Sequence, residues 1–554
     1  MLGDGDGGLR GLWEAASALK EEAGPLLASL KKCDAGLVDF GRTLELGYGY
    51  GGSEEEGEGG AKARSSSSAV SVSLVQSMHR FLAKARFNLG MFAFFAPWAG
   101  AIALSGLATA AVVMALFPVT VVLEVVFYVF MSRRRRGLLL VSEEGTKPIC
   151  KEECVGHMKQ VQESMVDLAR DSPGLATAFL SDWFRGGDPG GVTRADALEW
   201  MSQNFMFRDY CDLETEAERE TVHEVVDVVE DLFGHEKLLG SGFKFQEGGR
   251  RMQCLKSGFS VYKDYETRHY PLSVYLGIRV FKQLAEVLVG QLGFERHEGS
   301  GLTYWLRGGG SRRGKGARPI VFFHGIGTGV SSYAVILKAL CIAYPDSSIM
   351  MVELPLVAME MPWGEGWIAE RPTSSEETLC KPLLQVLLKH ELLHRRPVVM
   401  GHSFGCFACR WVLNHKELAR CLGGCVLLDP LVFLLPYPDI SKRLEGEPKT
   451  FYEFFVRKII MREPGVAFAL NRKSKWPKCC LWQKDLEDIR QDNADFKVAI
   501  ALSKRDCFFD VTVVERHLKK KPWQHHETYD CTHGELIFRP DLICGTMKMI
   551  HFVM

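Results

Sequence analysis

The sequence Val-Val-Met-Gly-His-Ser-Phe-Gly at 398–405 constrains the fold more than any other stretch of this chain. An apolar run enters a Gly-x-Ser-x-Gly pentapeptide, the pattern of a serine held on a tight turn between a strand and a helix. The flanking glycines meet a steric requirement, because such a turn strains the serine backbone and brings neighbouring chain close. The pattern predicts a nucleophile at Ser403 if the surrounding sequence supplies the rest of a site.

Composition limits the function classes. The chain has 554 residues, of which 47% are hydrophobic and 24% charged, and its net charge is −1. This is ordinary globular composition for several domains. The absence of a basic excess argues against nucleic acid as a partner. The 16 cysteines do not form matched pairs at zinc spacing, so we expect reduced thiols in a cytosol-facing protein and predict neither a metal nor a cofactor.

The N-terminal region contains a long apolar run at 87–132, in which Glu124 is the one charged residue. As a single helix it would be about 69 Å long, whereas the bilayer core is about 30 Å thick. Basic residues lie before the run and at 133–136 after it. Positive charge on both sides predicts a membrane region of one or two spans with both ends in the cytosol, and the lipid bilayer as a partner. The organelle stays open.

The flanking regions follow from composition and periodicity. Residues 1–46 are predicted to contain a helix, and 47–76, rich in Gly, Glu and Ser, to form a disordered linker. Residues 150–290 are predicted to be a helical accessory region. Within it, 271–292 has the pattern of an amphipathic helix whose charged residues Arg279, Lys282 and Glu286 we expect on a solvated face.

From residue 291 the pattern changes to short apolar strands that alternate with helices. The strands are predicted at 302–306, 319–323, 349–352, 398–400, 425–428, 498–502 and near 527–529. Such alternation predicts a mostly parallel sheet covered by helices on both faces. Ligands of these sheets bind at the carboxyl ends of the strands.

Three residues at predicted strand ends complete a nucleophilic site. A serine hydroxyl needs a base within hydrogen-bond reach and a group that orients the base. Asp506 follows the predicted strand 498–502, and His533 follows the last strand. We predict Ser403 as nucleophile, Asp506 as acid and His533 as general base, in the chain order Ser, Asp, His of the α/β-hydrolase fold.

Backbone amides are predicted to stabilise the oxyanion. Phe404, directly after the nucleophile, would supply one N–H group. The second would come from the loop after 319–323, from Ile326 or from its neighbour Gly325. His324 in the same loop is interpreted as a structural residue.

Two other acids compete with Asp506. Asp429 ends the strand after the serine turn, where some proteins of this fold place their acid, and Asp510 lies close to Asp506 in sequence. Both stay open as alternative acids.

The chain resembles the α/β-hydrolase superfamily, of the AB hydrolase-1 type, over about 290–554. More narrowly, it resembles membrane-anchored α/β-hydrolase-like proteins of fungi and algae. The matching stretches are Phe-Leu-Ser-Asp-Trp-Phe at 179–184, Leu-Thr-Tyr-Trp at 302–305, Phe-His-Gly-Ile-Gly at 323–327, the pentapeptide at 401–405, Leu-Asp-Pro at 428–430 and Leu-Trp-Gln-Lys-Asp-Leu at 481–486. The narrower resemblance implies a membrane-anchored N-terminus and a helical region ahead of the hydrolase, and no established substrate.

A long insertion at about 431–498 separates the strand that ends at Asp429 from the strand before Asp506. It exceeds a simple crossover and is rich in aromatic and basic residues, which suits a lid over an apolar pocket. We therefore expect a membrane-anchored serine hydrolase that cleaves an ester or thioester of an apolar acyl group. Acyl transfer through the same site, or a catalytically silent scaffold, are the alternatives.

Overall fold

The computed structural model describes the residues 120–138, 149–170, 172, 174–255, 265–308, 317–360, 376–518 and 521–554. The predicted N-terminal helix within 1–46, the linker 47–76 and most of the apolar run, 87–119, lie outside these ranges. The chain divides into two compact units, 1–130 and 131–554, and the second contains every labelled element below.

Residues 120–138, which include the end of the apolar run, are helical. In the ranges given above, none of the helices combines the length and the apolar character needed to cross a bilayer. The membrane region stays a prediction, since most of it lies outside those ranges.

Five α-helices lie in the described parts of the predicted accessory region. Their bounds are α1 Lys151–Ala169, α2 Leu175–Trp183, α3 Arg194–Met201, α4 Glu216–Phe233 and α5 Leu272–Gln291. Helix α3 begins at a capping box, in which Thr193 and Asp196 each accept a hydrogen bond from the other's backbone amide, at 3.1 and 3.0 Å.

Eight strands form one sheet in the order β1-β2-β4-β3-β5-β6-β7-β8. The first two neighbouring pairs, β1 with β2 and β2 with β4, are antiparallel, and all later pairs are parallel. The bounds are β1 Glu295–Gly299, β2 Leu302–Arg307, β3 Ile320–Phe323, β4 Ile349–Val352, β5 Val398–His402, β6 Gly424–Leu428, β7 Lys497–Arg505 and β8 Gln524–Thr532.

The central strands are continuous apolar runs because both faces of the sheet are covered. Every residue of β3, β4, β5 and β6 is buried. Helices α6 Ala334–Ala343 and α16 Pro540–Val553 pack on one face, and α7 Glu376–Lys389 and α8 Gly405–Asn414 lie on the other side, where α8 packs on β5. The remaining helices are α9 Lys416–Cys421, α10 Pro438–Glu445, α11 Phe451–Phe454, α12 Pro464–Phe468, α13 Trp476–Cys479, α14 Gln483–Asp492 and α15 Val511–His517.

This strand order, with a sharp turn from β5 into α8, is that of the α/β-hydrolase fold. The predicted mostly parallel, doubly covered sheet is therefore confirmed. Residues 431–498 contain α10 to α14 and form the predicted helical insertion, which we call the lid.

The accessory helices dock on the lid through aromatic and charged side chains. The Trp183 indole N–H donates to the Pro436 carbonyl at 3.1 Å, and the Trp476 indole N–H donates to the Asn204 carbonyl at 3.2 Å. Asp182 pairs with Lys442 at 2.6 Å. Two residues of the 179–184 stretch thus have a structural role, because they tie the accessory region to the lid.

Helix α5 differs from its sequence-based interpretation. Lys282, expected in solvent, is buried, and its amine bonds to the Ala358 carbonyl at 3.3 Å and to Glu360. Arg279 and Glu286 are partly exposed and form an ion pair at 3.6 Å. The face that reaches solvent is instead apolar. Periodicity predicted the helix but assigned its faces wrongly, because the buried Lys282 amine has a partly exposed carboxylate partner, Glu360.

Candidate active site

Ser403 sits on the turn that joins β5 to α8, in the left-handed region of backbone space with φ 53°. A Cβ built on Gly401 would lie 2.6 Å from the Gly405 carbonyl oxygen, and one built on Gly405 would overlap the Phe323 carbonyl. Both flanking glycines are therefore required by close backbone approach, as the sequence predicted.

This steric argument predicts the effect of one substitution. Gly405→Ala should destabilise the fold by about 3 kcal/mol or more, because the new methyl group must displace the Phe323 backbone on β3. Thermal unfolding measures the loss. Gly156→Ala is the matched control, since Gly156 is an exposed residue of α1 with no atom within 4 Å of the added Cβ, and it should gain about 0.5–1 kcal/mol. Equal unfolding temperatures of the two variants would contradict the argument.

The structure brings Ser403, His533 and Asp506 together in one hydrogen-bonded chain. His533 Nε2 lies 2.8 Å from Ser403 Oγ, and His533 Nδ1 lies 2.6 Å from Asp506 Oδ2. All three residues are buried, and Ser403 is 5% exposed. In this arrangement an imidazole can accept the hydroxyl proton of a serine while a carboxylate fixes its orientation.

The electrostatics of His533 favour its charged form. Burial alone lowers the pKa of His533, but the charge and hydrogen bond of Asp506 and the charge of Asp429 outweigh burial, so the pKa is raised above the usual value. Asp506 is itself held in place, because its Oδ1 accepts the Phe508 amide at 2.8 Å. The Phe508 ring packs edge-on against the His533 imidazole at 4.8 Å.

The alternative acids have other roles. The two carboxylate oxygens of Asp429 accept hydrogen bonds from the Ser503 hydroxyl at 2.5 Å and the Gly534 amide at 2.6 Å. Burial raises its pKa, but the neighbouring imidazoles of His402 and His533 outweigh this, and the pKa stays below the usual range. Asp429 thus fixes the loop that carries His533. Asp510 caps α15 by accepting the Thr512 amide at 2.9 Å.

The backbone amides predicted to bind the oxyanion differ in whether each already donates a hydrogen bond within the protein. The Gly325 amide donates to the Tyr333 hydroxyl at 2.6 Å, so it is already occupied. A Cβ on Gly325 would lie 3.1 Å from the Ser403 Cβ, which places this loop against Ser403. Among the backbone hydrogen bonds of the described ranges, none uses the amide of Ile326 or Phe404. These two amides fit the role better than Gly325.

His324 stabilises this loop, as interpreted from the sequence. Its Nδ1 lies 2.8 Å from the Gly325 carbonyl, and its Nε2 accepts the Leu354 amide at 2.8 Å. Burial lowers the pKa of His324 to about 4, so the ring is neutral and donates through Nδ1.

A second polar chain behind the serine was missed by sequence reasoning. Tyr333 Oη lies 2.7 Å from His402 Nδ1, and His402 Nε2 lies 3.7 Å from Asp429 Oδ2. Because Tyr333 also accepts the Gly325 amide, its hydroxyl connects His402 to the loop after β3. The 3.7 Å between His402 and Asp429 is too long for a hydrogen bond. The signal was His402 itself, a polar residue inside an otherwise apolar strand and turn.

The site could be considered for a metal, because Asp429, Asp506 and His533 offer ligand atoms within 4.8 Å of one another. Those atoms already serve the hydrogen bonds described above. A bound cation would have to break the bond of His533 to Asp506, so this donor set fits proton transfer better than metal ligation.

The lid reaches the site at Tyr452. Its hydroxyl would lie 3.3 Å from a Cβ built on Gly534, next to His533. Burial raises the pKa of Tyr452 well above the usual range, so the phenol is neutral. The Tyr452 phenol of the lid thus lies beside the loop that carries His533.

No family model and no curated protein sequence matches this chain. Solved structures with a similar fold include a carboxylesterase of Bacillus subtilis, at 11% identity and TM-score 0.34, covering 50% of this chain and 98% of that one. A bacterial membrane phospholipase A, described as a virulence factor, has 14% identity and TM-score 0.31, covering 51% and 96%. An esterase of Pyrococcus furiosus has 15% identity and TM-score 0.31, covering 48% and 94%. These values are too low to transfer an activity to this chain.

Proposed function

We propose that this protein is a serine hydrolase that cleaves esters or thioesters of apolar acyl groups through an acyl-enzyme. The observation that carries the proposal is the chain from Ser403 Oγ through His533 to Asp506, at 2.8 and 2.6 Å, on a strained turn at the carboxyl edge of the sheet. A serine that merely lay beside a histidine on the protein surface would not need a strained backbone. The strain at Ser403 therefore supports a functional role for this residue.

In the proposed reaction, His533 Nε2 takes the Ser403 proton as Oγ attacks the acyl carbonyl carbon. The Phe404 and Ile326 amides would stabilise the negative charge on the carbonyl oxygen. The imidazolium then gives its proton to the leaving alcohol or thiol as the bond to the acyl carbon breaks. Water, deprotonated by His533, then attacks the acyl carbon. The bond from that carbon to Ser403 Oγ breaks, and the imidazolium returns its proton to Oγ, which releases the acid and regenerates Ser403. Asp506 stabilises the His533 imidazolium during both acylation and deacylation.

An apolar acyl group is proposed because of the lid. Many of its side chains are apolar and buried, and its Tyr452 hydroxyl lies beside Gly534, next to His533. Membrane anchoring through 87–132 with a cytosolic hydrolase unit remains part of the proposal, supported by the apolar sequence of that run, in which Glu124 is the one charged residue. An anchored enzyme of this kind would meet lipid-like esters at high local concentration.

A fluorophosphonate probe tests the proposal directly. Full-length protein in its native membrane should be labelled, and peptide mass spectrometry should map the adduct to Ser403. Competition by long-chain lipid esters, and weaker competition by short-chain esters, is expected. Absence of labelling after native isolation would argue for the silent scaffold, and products formed on added alcohols or amines instead of water would indicate acyl transfer.

The raised pKa of His533 predicts the pH dependence. Protonated His533 cannot accept the Ser403 proton, so kcat/KM for a soluble ester should rise with pH, with a midpoint above the ordinary histidine value of about 6.5. Asp506→Asn should lower this midpoint, since the negative charge that favours the imidazolium is removed. Steady-state kinetics between about pH 5 and 9 measure both. A midpoint that is the same in both proteins would contradict this assignment.

A further inference from the structure

Lys282 on helix α5 is a buried basic residue that takes no part in the proposed reaction. It is 5% exposed, and its amine donates to the Ala358 carbonyl at 3.3 Å and to the Glu360 carboxylate. An apolar side chain of the same length could pack here without the cost of burying an amine. The two bonds of the amine therefore indicate what it holds in place.

Both acceptors belong to residues 354–360 after β4, which we call the brace. Between them lies Met359, which is buried and has φ 47°, in the left-handed region that residues other than glycine rarely adopt. A backbone strained in this way persists only where surrounding contacts fix it. Because the Lys282 amine binds the residue on each side of Met359, it stabilises this strained turn.

The brace in turn holds residues 324–329, the loop after β3. The Leu354 amide donates to His324 Nε2 at 2.8 Å, and the Val357 carbonyl accepts the Gly327 amide at 2.9 Å. These bonds attach the brace to the loop at two points, one on each side of the proposed oxyanion donor.

The direction of the Ile326 N–H group follows from these bonds. His324 Nδ1 donates to the Gly325 carbonyl at 2.8 Å. That carbonyl and the Ile326 N–H belong to one planar peptide unit, so a bond that fixes the carbonyl also fixes the direction of the N–H. A Cβ built on Gly329 would lie 3.7 Å from Lys282 Nζ and 3.8 Å from His324 Nε2, so the lysine amine lies beside the same loop.

We propose that Lys282 is a positioning residue for the oxyanion site, because its amine sets the direction of the Ile326 amide through the brace and His324. The inference rests on the proposed hydrolase function. Oxyanion donors act only when they point at the position where the charge develops, and a displacement of about 1 Å can cost about 100-fold in rate. Without the amine, the turn at Met359 would relax, and the brace would no longer hold the loop in this geometry.

Lys282→Met in the full-length protein tests the role, because methionine keeps the length of the side chain and removes the amine. The kcat for a soluble ester should fall by about 10–100-fold with KM nearly unchanged, since the oxyanion exists only after the attack. Arg279→Met is the matched control, because Arg279 is a partly exposed cation of the same helix, paired with Glu286. Val289→Ala loosens α5 against the core two turns away from Lys282. Both controls should keep the wild-type kcat.

A pair of inhibitors separates positioning from a loss of stability. Ser403 Oγ adds to the carbonyl carbon of an alkyl trifluoromethyl ketone, its proton passes to His533, and the carbonyl oxygen becomes an oxyanion at the backbone amides. The alcohol made by reducing this ketone has the same chain but forms no such adduct. Lys282→Met should weaken inhibition by the ketone by the same factor as kcat/KM falls, and should leave inhibition by the alcohol unchanged.

Glu360→Ala removes the acceptor on one side of Met359 and is measured alongside, so that the test does not depend on the folding of Lys282→Met. It should show smaller losses of kcat and of ketone affinity. Wild-type values of both quantities in the folded variants, equal losses of ketone and alcohol affinity, or an equal loss of kcat in Val289→Ala would each overturn the role.

Fluorophosphonate labelling keeps this role and the proposed function apart. Wild-type protein that is not labelled at Ser403 contradicts the hydrolase. Labelled wild-type protein, together with unchanged kcat in Lys282→Met and Glu360→Ala, contradicts only the positioning role of Lys282.

Discussion

Replacing Ser403 by alanine is expected to lower kcat for any ester substrate by about 10⁶-fold, because the acyl-enzyme can no longer form. The rest of the site would persist in this variant, since His533 keeps its 2.6 Å bond to Asp506 and the backbone amides of the turn are unchanged. Residual hydrolysis above the uncatalysed rate would come from those groups alone. Hydrolysis of a chromogenic ester, with the enzyme concentration fixed by absorbance, measures the loss.

A folding defect must be separated from a chemical one. Ser403→Ala should unfold at nearly the wild-type temperature, because alanine fits the space of serine and φ 53° is as strained for one as for the other. Ser181→Ala, in the accessory helix α2, is the matched serine control and should retain full activity. Activity of Ser403→Ala within ten-fold of wild type would remove Ser403 from the proposed mechanism.

The sheet and the serine turn were predictable because their requirements are local. Four buried strands read as continuous apolar runs, and the glycines at 401 and 405 are required by backbone atoms of immediate neighbours. The places of Asp506 and His533 at strand ends likewise predicted that these two residues would lie beside Ser403. In each case residue type and position along the chain sufficed, since parallel strands bring their carboxyl ends to one edge.

Other features depend on partners distant in sequence. The apolar face of α5 points outward because Lys282 meets Glu360, and nothing in the helical periodicity reveals that pair. The Gly325 amide is occupied by Tyr333, and Asp429 is bound by Gly534, 105 residues away. Such side-chain contacts decide which of several chemically equivalent residues is available for a role, and a single sequence does not encode them locally.

Replacing Asp506 by asparagine is expected to lower kcat by about 10⁴-fold with the nucleophile still present. Asp506 Oδ2 accepts the proton carried by His533 Nδ1, which leaves Nε2 free to accept from Ser403. An asparagine amide in the same place can donate to Nδ1 and stabilise the other tautomer. Nε2 would then carry the proton and could no longer activate the serine.

Two isosteric variants provide the comparison for this prediction. Asp510→Asn should keep kcat and lose at most about 1 kcal/mol of stability, because Asp510 only caps α15. Asp429→Asn should reduce stability more, since its buried carboxylate holds Ser503 and Gly534, yet reduce kcat much less than Asp506→Asn. Kinetics and thermal unfolding of all three separate the roles. If Asp429→Asn shows the 10⁴-fold loss and Asp506→Asn does not, the acid is Asp429, because only the acid sets the tautomer of His533.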